Sequence, residues 1–172
     1  MRSQKPYTNA TFTHRVDHEA GRHRPPRAPG EPRVCGTCGA VYRGRRWAPA
    51  APGPLPVTET GAPAEVTTCP GCRRVATHAA SGFLYLTGAF VTAHRDEIER
   101  LVTGEARRAL DDNPTARIIA WEATPEGPLV VTTTTEHLAE RLGHALEKAY
   151  DGDVRFDFSH ENKLARVYWH RD

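Results

Sequence analysis

The chain has 172 residues and a formal net charge of only +2, with 38% hydrophobic residues and a mean hydropathy of −0.59. This length allows one full domain and a small module, and the low apolar content predicts that part of the chain does not pack into a core. No run of about 18 apolar residues occurs, which excludes a membrane-spanning helix. The polar N-terminal residues lack the features of a secretory signal, so we expect a cytoplasmic protein.

Charge is distributed unevenly along the chain. Residues 1–74 contain 12 Lys and Arg against 5 Asp and Glu, whereas residues 75–172 contain 11 against 16. A basic first half is typical of proteins that bind a polyanion, although a stretch of this density can also serve solubility alone. The excess of Arg over Lys indicates a GC-rich, bacterial genome.

Residues 1–33 are predicted to be a disordered basic tail. They contain Arg22, Arg24 and Arg27, several prolines and few apolar groups, so folding would bury too little surface to offset the loss of chain entropy. A module that contains all the cysteines follows over residues 34–80. Its middle is rich in Pro, Ala and Gly, which predicts an open loop between two metal-binding turns.

Residues 81–172 carry strand and helix patterns in alternation. The patterns predict, in chain order, a strand at 83–86, a helix from Ala93 to Asn113, strands at 118–121 and 129–131 around the turn 124–127, a helix ending at Asp151, and strands at 154–158 and 164–169. The second helix should begin at a capping box formed by Thr133 and Glu136.

This order of elements predicts an α+β fold. Its first six elements match the ferredoxin-like arrangement, an antiparallel sheet with two helices packed on one face. The last strand would then extend an edge of that sheet. The chain as a whole is therefore predicted to contain a small cysteine module followed by a ferredoxin-like domain.

Four cysteines form two C-x2-C pairs, Cys35 with Cys38 and Cys69 with Cys72, separated by thirty residues. Each pair lies in a glycine-containing turn, which lets two thiolates reach one ion, and two facing turns complete a tetrahedral set of sulfurs that favours Zn²⁺. We expect one zinc ion with a structural role, because four protein ligands leave no open coordination position, and we therefore predict that the cysteine module is zinc-ribbon-like. Redox pairs or an iron–sulfur cluster are the alternatives.

Aromatic and basic residues flank both cysteine pairs. Guanidinium groups pair with phosphates and aromatic rings stack on unpaired bases, so these residues, with the tail arginines, predict an RNA-binding surface. In the alternative interpretation the two aromatic rings cover the zinc and the arginines are only solvated. The flanking residues are Tyr42, Arg43, Arg45, Arg46, Trp47, Arg73 and Arg74.

The CGTCG and CPGCRR turns, the segment VVTTTTEHLAERLGHALEKAYDG and the later RVYWHR resemble a known family over about residues 35–172. This is the group of short bacterial relatives of the nonsense-mediated-decay protein three family, an archaeal and eukaryotic adaptor that binds the large ribosomal subunit. The resemblance implies association with the ribosome or ribosomal RNA, and it implies that Cys35, Cys38, Cys69 and Cys72 are zinc ligands. The chain is far shorter than the export adaptor, so a role in ribosome stasis or subunit quality control would fit better than export.

No enzyme motif stands out in the sequence. The nine histidines form no HExxH pair, and neither a Gly-rich phosphate loop nor a nucleophile elbow occurs, so we expect a non-enzymatic protein. A site in the Thr132–His144 region, with His137 and Arg141 on one helical face, is the enzymatic alternative. A cytosolic protein-interaction adaptor is another, and it would need an apolar patch near Tyr168 and Trp169.

Overall fold

The computed structural model describes residues 32–50, 52–123, 127–159 and 163–172. The described residues belong to one compact unit with two β-sheets. The predicted basic tail, with Arg22, Arg24 and Arg27, lies outside the described residues, as does most of the predicted turn at 124–127. Within the described part, no helix combines the length and apolar character needed to cross a membrane.

The cysteine module contains a small four-stranded sheet and a short helix. Its elements are β1 (Arg33–Cys35), β2 (Val41–Arg43), β3 (Arg46–Ala48), β4 (Glu65–Thr67) and α1 (Pro70–Ala76). The strand order is β3-β2-β1-β4, in which β1 pairs antiparallel with β2 and parallel with β4. Because each strand has only three residues, the sheet positions the two cysteine turns but encloses almost no apolar core.

The remainder of the chain folds into a five-stranded sheet with two long helices on one face. Its elements are β5 (Gly82–Thr87), α2 (Ala89–Ala93), α3 (Arg95–Asp112), β6 (Ile118–Ala123), β7 (Leu129–Thr133), α4 (Glu136–Tyr150), β8 (Asp153–Ser159) and β9 (Leu164–His170). This sequence of strands and helices confirms the predicted α+β class. The strand order is β6-β7-β5-β9-β8.

The strand order corrects the predicted arrangement of this sheet. We expected the last strand to extend an edge of a ferredoxin-like sheet, but β9 lies inside the sheet, parallel to β5, and β8 forms the edge. The reason is visible in the side chains. Strand β9 buries Ala165, Val167 and Trp169 completely, whereas β8 alternates charged and apolar residues, a pattern suited to an edge. The specific ferredoxin-like arrangement is therefore not confirmed.

The core of this domain lies between the sheet and helices α3 and α4. Trp169 is fully buried there, and its indole Nε1 donates a hydrogen bond to the carbonyl oxygen of Asp151 at 2.8 Å. Tyr168, its neighbour in β9, points to the opposite face of the sheet. Of the two residues near which the adaptor alternative needs an apolar patch, only Tyr168 can contribute to one, since alternate residues of a strand face opposite sides and Trp169 is buried.

Both predicted helices exist, with different starting points. The first is α3, which begins at Arg95 and ends at Asn113 as predicted, and the short helix α2 before His94 was not predicted. The second is capped by Thr135, whose hydroxyl accepts a hydrogen bond from the amide of Leu138 at 3.3 Å. The predicted cap Thr133 is wrong because this residue completes strand β7, and its hydroxyl donates to the carbonyl oxygen of Thr135.

Candidate metal centre and its surroundings

The first cysteine turn begins at the last residue of β1. Cys35 accepts a backbone hydrogen bond from Gly39 at 2.8 Å and donates one to Ala40 at 2.8 Å, which reverses the chain between β1 and β2. Gly39 has a φ of 74°, a left-handed conformation that glycine adopts at little cost. Cys35 and Cys38 are thereby held at the two ends of one tight turn.

The second cysteine turn is the first turn of helix α1. Cys69 is the N-cap residue, Pro70 follows at the first helical position, and the Cys69 sulfur accepts a hydrogen bond from the amide of Cys72 at 3.4 Å. Proline suits this position because its missing amide hydrogen has no partner there in any helix. Cys69 and Cys72 therefore point to the same side of the helix start.

The two turns bring all four sulfurs together. The four ligand atoms of Cys35, Cys38, Cys69 and Cys72 lie within 4.8 Å of one another, and the Cys38 and Cys69 sulfurs are 3.8 Å apart. All four cysteines are free thiols, and all except Cys38 are buried. Four convergent sulfurs in this arrangement could hold a metal ion. The convergence of two turns thirty residues apart confirms the prediction made from their spacing.

The local environment shifts the pKa of Cys35 in one direction and the pKa values of Cys69 and Cys72 in the other. At Cys35 burial opposes ionisation, but hydrogen bonds from the backbone at Cys69, Cys38 and Thr37 outweigh it and lower the pKa from 9.0 to about 6. Burial raises the pKa of Cys69 and that of Cys72, and neighbouring cysteines raise the latter further. The Cys35 thiolate is thus stabilised by the protein itself, whereas the raised pKa values of Cys69 and Cys72 favour their neutral thiol forms unless a cation is bound.

Trp47 and Tyr42 lie beside the cysteines. Trp47, which is half-buried, packs against the cluster of Cys35, Ala40, Cys69 and Cys72, and its ring centroid lies 5.4 Å from that of Tyr42. The Trp47 side chain therefore shields the sulfurs from solvent. This contact supports the alternative interpretation, in which the two aromatic rings cover the metal site. Only part of the surface of each ring then remains exposed.

The predicted RNA-binding arginines of the module are exposed. Arg43, Arg45 and Arg46 lie in and beside the β2–β3 hairpin, and Arg73 lies on α1. Among the described residues, no carboxylate forms a salt bridge with any of these four, whereas Arg33 pairs with Glu65 at 2.9 Å. Their guanidinium groups are therefore available to a ligand.

Arg74 has a different environment from Arg73. Its Nη1 nitrogen donates to the carbonyl oxygen of Thr134 at 2.6 Å and to the Ser81 hydroxyl, so it links α1 to the five-stranded domain. At the same junction, a Cβ on Gly71 would lie 2.7 Å from Cα of Thr115, so only glycine fits. The sequence showed two adjacent arginines and gave no signal that one of them joins the modules.

The Thr132–His144 region is built from internally satisfied groups. The Thr134 hydroxyl donates to the carbonyl oxygen of Thr115 at 2.6 Å and accepts from the amide of Arg117 at 2.8 Å. Arg141 on α4 binds Glu105 at 2.6 Å and Asp112 at 2.7 Å, both on α3. The sequence analysis missed this interhelical network because no local spacing connects residues 36 positions apart.

Searches against protein-family models, curated proteins and solved structures find no significant match for this chain. The resemblance to the nonsense-mediated-decay protein three family therefore stays a prediction, and the geometry of the cysteine module is the firmest guide to function.

Proposed function

We propose that Cys35, Cys38, Cys69 and Cys72 bind one Zn²⁺ as a structural site. Zinc–sulfur bonds of about 2.3 Å in a tetrahedron require sulfur–sulfur distances of about 3.8 Å. The Cys38–Cys69 separation of 3.8 Å agrees with that requirement. Four thiolates are the donor set that zinc prefers, and they leave no position for a catalytic water.

On this metal-supported scaffold the module presents an arginine surface, which we define as Arg43, Arg45, Arg46 and Arg73. We propose that this surface binds RNA, and that the ribosome or ribosomal RNA is the partner, in a role such as stasis or subunit quality control. The exposure of the four guanidinium groups supports this, because phosphate binding requires unpaired cationic donors. The tail residues Arg22, Arg24 and Arg27 would extend the surface.

The conformation of Arg45 is the single observation that carries the proposal furthest. Gly44 and Arg45 form the two-residue turn between β2 and β3, and both have positive φ, 57° and 68°. Such turns strongly favour glycine or asparagine at the second position, and an arginine there costs on the order of 1 kcal/mol. A residue that is unfavourable for the turn and exposed to solvent fits selection for ligand binding.

The test is to replace Arg45 with Gly, which relieves the turn and removes the charge. We expect unchanged or higher thermal stability and several-fold weaker binding to ribosomal RNA fragments. The slope of log affinity against log salt concentration should fall by about one, the value for one phosphate contact. Arg107→Ala, a charge loss on the exposed face of α3, is the matched control and should leave binding unchanged. If the combined Arg43, Arg45 and Arg46 to Gln variant binds RNA as well as the original chain, the arginine surface is not the binding site.

Ribosome association has its own test. At low salt the full chain should co-sediment with ribosomes in a sucrose gradient, and raising the salt should release it, because phosphate contacts displace counterions. Free migration at low salt would contradict this part of the proposal without affecting the zinc site.

One observation favours the alternative of a protein-interaction adaptor. The sheet face opposite the helices carries Phe83, Tyr85 and Tyr168, with the two tyrosine rings stacked at 4.9 Å and Arg155 lying 4.4 Å over Tyr168. Aromatic residues with arginine are enriched at protein interfaces. A partner bound there should stay bound at high salt, and Tyr168→Ala should release it while Arg45→Gly does not.

A further inference from the structure

The two edges of the five-stranded sheet differ in their protection. Strand β6 has a register irregularity between Ile118 and Ala120, and helix α1 lies close to it. Strand β8 pairs with β9 through all seven of its residues without a bulge, and it contains no proline, glycine or lysine. Natural proteins use bulges, covering helices, proline and lysine to block the pairing of exposed edges, and β8 has none of these. In the part of the chain that the structure describes, nothing pairs with the outer edge of β8.

The side chains of β8 alternate between charge and apolar surface. Asp153, Arg155 and Asp157 point to the open face, and Val154 and Phe156 point to the helix face, where the ring of His144 lies 4.6 Å from that of Phe156. Phe158 continues this apolar row, with its ring stacked 6.3 Å from that of Phe156. It is 37% exposed, and it is the exposed large apolar side chain that the described part of the five-stranded domain presents.

The sequence of β8 is complementary to itself along its whole length in the antiparallel register centred on Phe156. When a two-fold axis passes through Phe156, Arg155 of each copy faces Asp157 of the other, Val154 faces Phe158, and the two Phe156 rings face each other. The adjacent same-face registers are less favourable. An axis at Val154 also pairs Asp153 with Arg155, but it aligns only residues 153–155 of β8, whereas the axis at Phe156 aligns all seven residues of the strand. An axis at Arg155 opposes two arginines, and an axis at Asp157 opposes two aspartates, and like charges directly opposite each other are destabilising.

We propose that two copies of this chain associate through β8, antiparallel, around a two-fold axis at Phe156. The pairing satisfies the unpaired edge of the strand, forms two Arg155–Asp157 pairs by symmetry and covers the exposed Phe158 ring with Val154 of the second copy. The occupant is a second copy because the charge pattern selects its own sequence. The contact is short, so the dimer should dissociate at concentrations in the micromolar range.

Charge substitutions at the two paired positions test this directly. Arg155→Asp places Asp opposite Asp157, and Asp157→Arg places Arg opposite Arg155, each twice per dimer, so each variant alone should dimerise roughly ten-fold more weakly or worse. A mixture of the two variants restores opposite charges at both pairs, and it should form a heterodimer about as tight as the original dimer. Glu122→Arg, on the same face of the opposite edge β6, is the matched control and should change nothing.

Sedimentation velocity of the full chain in reducing buffer, over micromolar to millimolar concentrations, gives the readout. Circular dichroism establishes that each variant is folded, and recovery in the mixture shows the same independently. The proposal is overturned if the original chain is monomeric throughout, if the single variants dimerise as it does, or if the mixture of folded variants stays monomeric. It does not depend on the RNA-binding proposal.

Discussion

The two modules of the described chain are stabilised in different ways. In the cysteine module the buried cluster consists of Cys35, Ala40, Cys69 and Cys72, with Cys38 and Trp47 packed against it, so the ligands themselves are most of the core. The five-stranded domain buries a continuous cluster that includes Leu84, Ile98, Leu142 and Trp169. Apolar burial stabilises roughly in proportion to area, so we expect the larger domain to fold without an ion and the small module to need one.

The largest expected effect is the loss of a sulfur ligand. Cys72→Ser should release the metal and unfold the module, because structural zinc contributes about 10 kcal/mol or more to the folding of small modules of this kind. In hydrogen-exchange mass spectrometry, strands β1 to β4 and helix α1 should lose protection while β5 and β9 keep it.

Thr37→Ser, an exposed change between Cys35 and Cys38, is the matched control and should keep both the metal and the protection. If Cys72→Ser left the amides of β1 and β2 protected, the module would have a source of stability other than the ion, and the contrast between the two modules would fail.

A cavity in the larger core should have the next largest effect. Leu142 on α4 is fully buried, so Leu142→Ala should lower the free energy of unfolding by about 2–5 kcal/mol. Denaturant titration measures this loss, and the metal content should stay unchanged because the site lies in the other module. Leu55→Ala, at a side chain that is 69% exposed, should change stability by less than about 0.5 kcal/mol. Loss of metal in Leu142→Ala would show that the modules do not stabilise themselves separately.

The junction between the modules should contribute less than either core. Arg74→Ala removes the hydrogen bonds to Thr134 and Ser81, so we expect a loss of about 1–2 kcal/mol and faster amide exchange at residues 77–81. The neighbouring Arg73→Ala is the matched control, since within the described residues the Arg73 side chain makes no hydrogen bond of this kind, and it should matter for RNA binding and not for stability. Equal stability of the two variants would contradict the structural role of Arg74.

The smallest effect concerns the contact between α3 and α4. Burial opposes ionisation of Glu105, but Arg108 and Arg141 outweigh it and hold its pKa below 4.5. The Glu105 carboxylate therefore contributes fully to the free energy of unfolding above pH 4.5, and this contribution is lost as the pH falls through the lowered pKa of the folded state. Glu105→Gln should cost about 1 kcal/mol at pH 7 and progressively less in acid, as measured by urea titrations at several pH values.

Glu99→Gln is the matched control for this pair. Glu99 binds Arg95 on the exposed surface of α3, with side chains 40% and 47% exposed, so its loss should cost only a few tenths of a kcal/mol. A cost for Glu105→Gln that does not change with pH would show that the carboxylate charge is not what stabilises the contact.

Local chemistry in the sequence was enough to predict the convergence of the cysteines and the strands and long helices of the five-stranded domain, but not the four short strands and helix α1 of the cysteine module or helix α2. Two C-x2-C turns can converge on one ion whatever the length of the loop between them, since loop entropy grows slowly with length. Helix α4 and strand β5 were also predictable, because apolar periodicity and the bounding glycines act within a few residues.

Long-range pairing could not be predicted in the same way. Strands β8 and β9 have similar lengths and alternation, and their positions in the sheet depend on which one buries Ala165, Val167 and Trp169 against the helices. The role of Arg74 likewise depends on residues 60 positions away. Such contacts leave no local pattern, so the sequence placed Arg74 with the other arginines of the module.

The most direct measurement of the central claim is the metal content and sulfur coordination of the purified full chain. Elemental analysis with X-ray absorption at the zinc edge should give one zinc per chain, bound by four sulfurs at about 2.3 Å. A metal-free chain that keeps strands β1 to β4 folded, or cysteines joined as disulfides, would contradict the account.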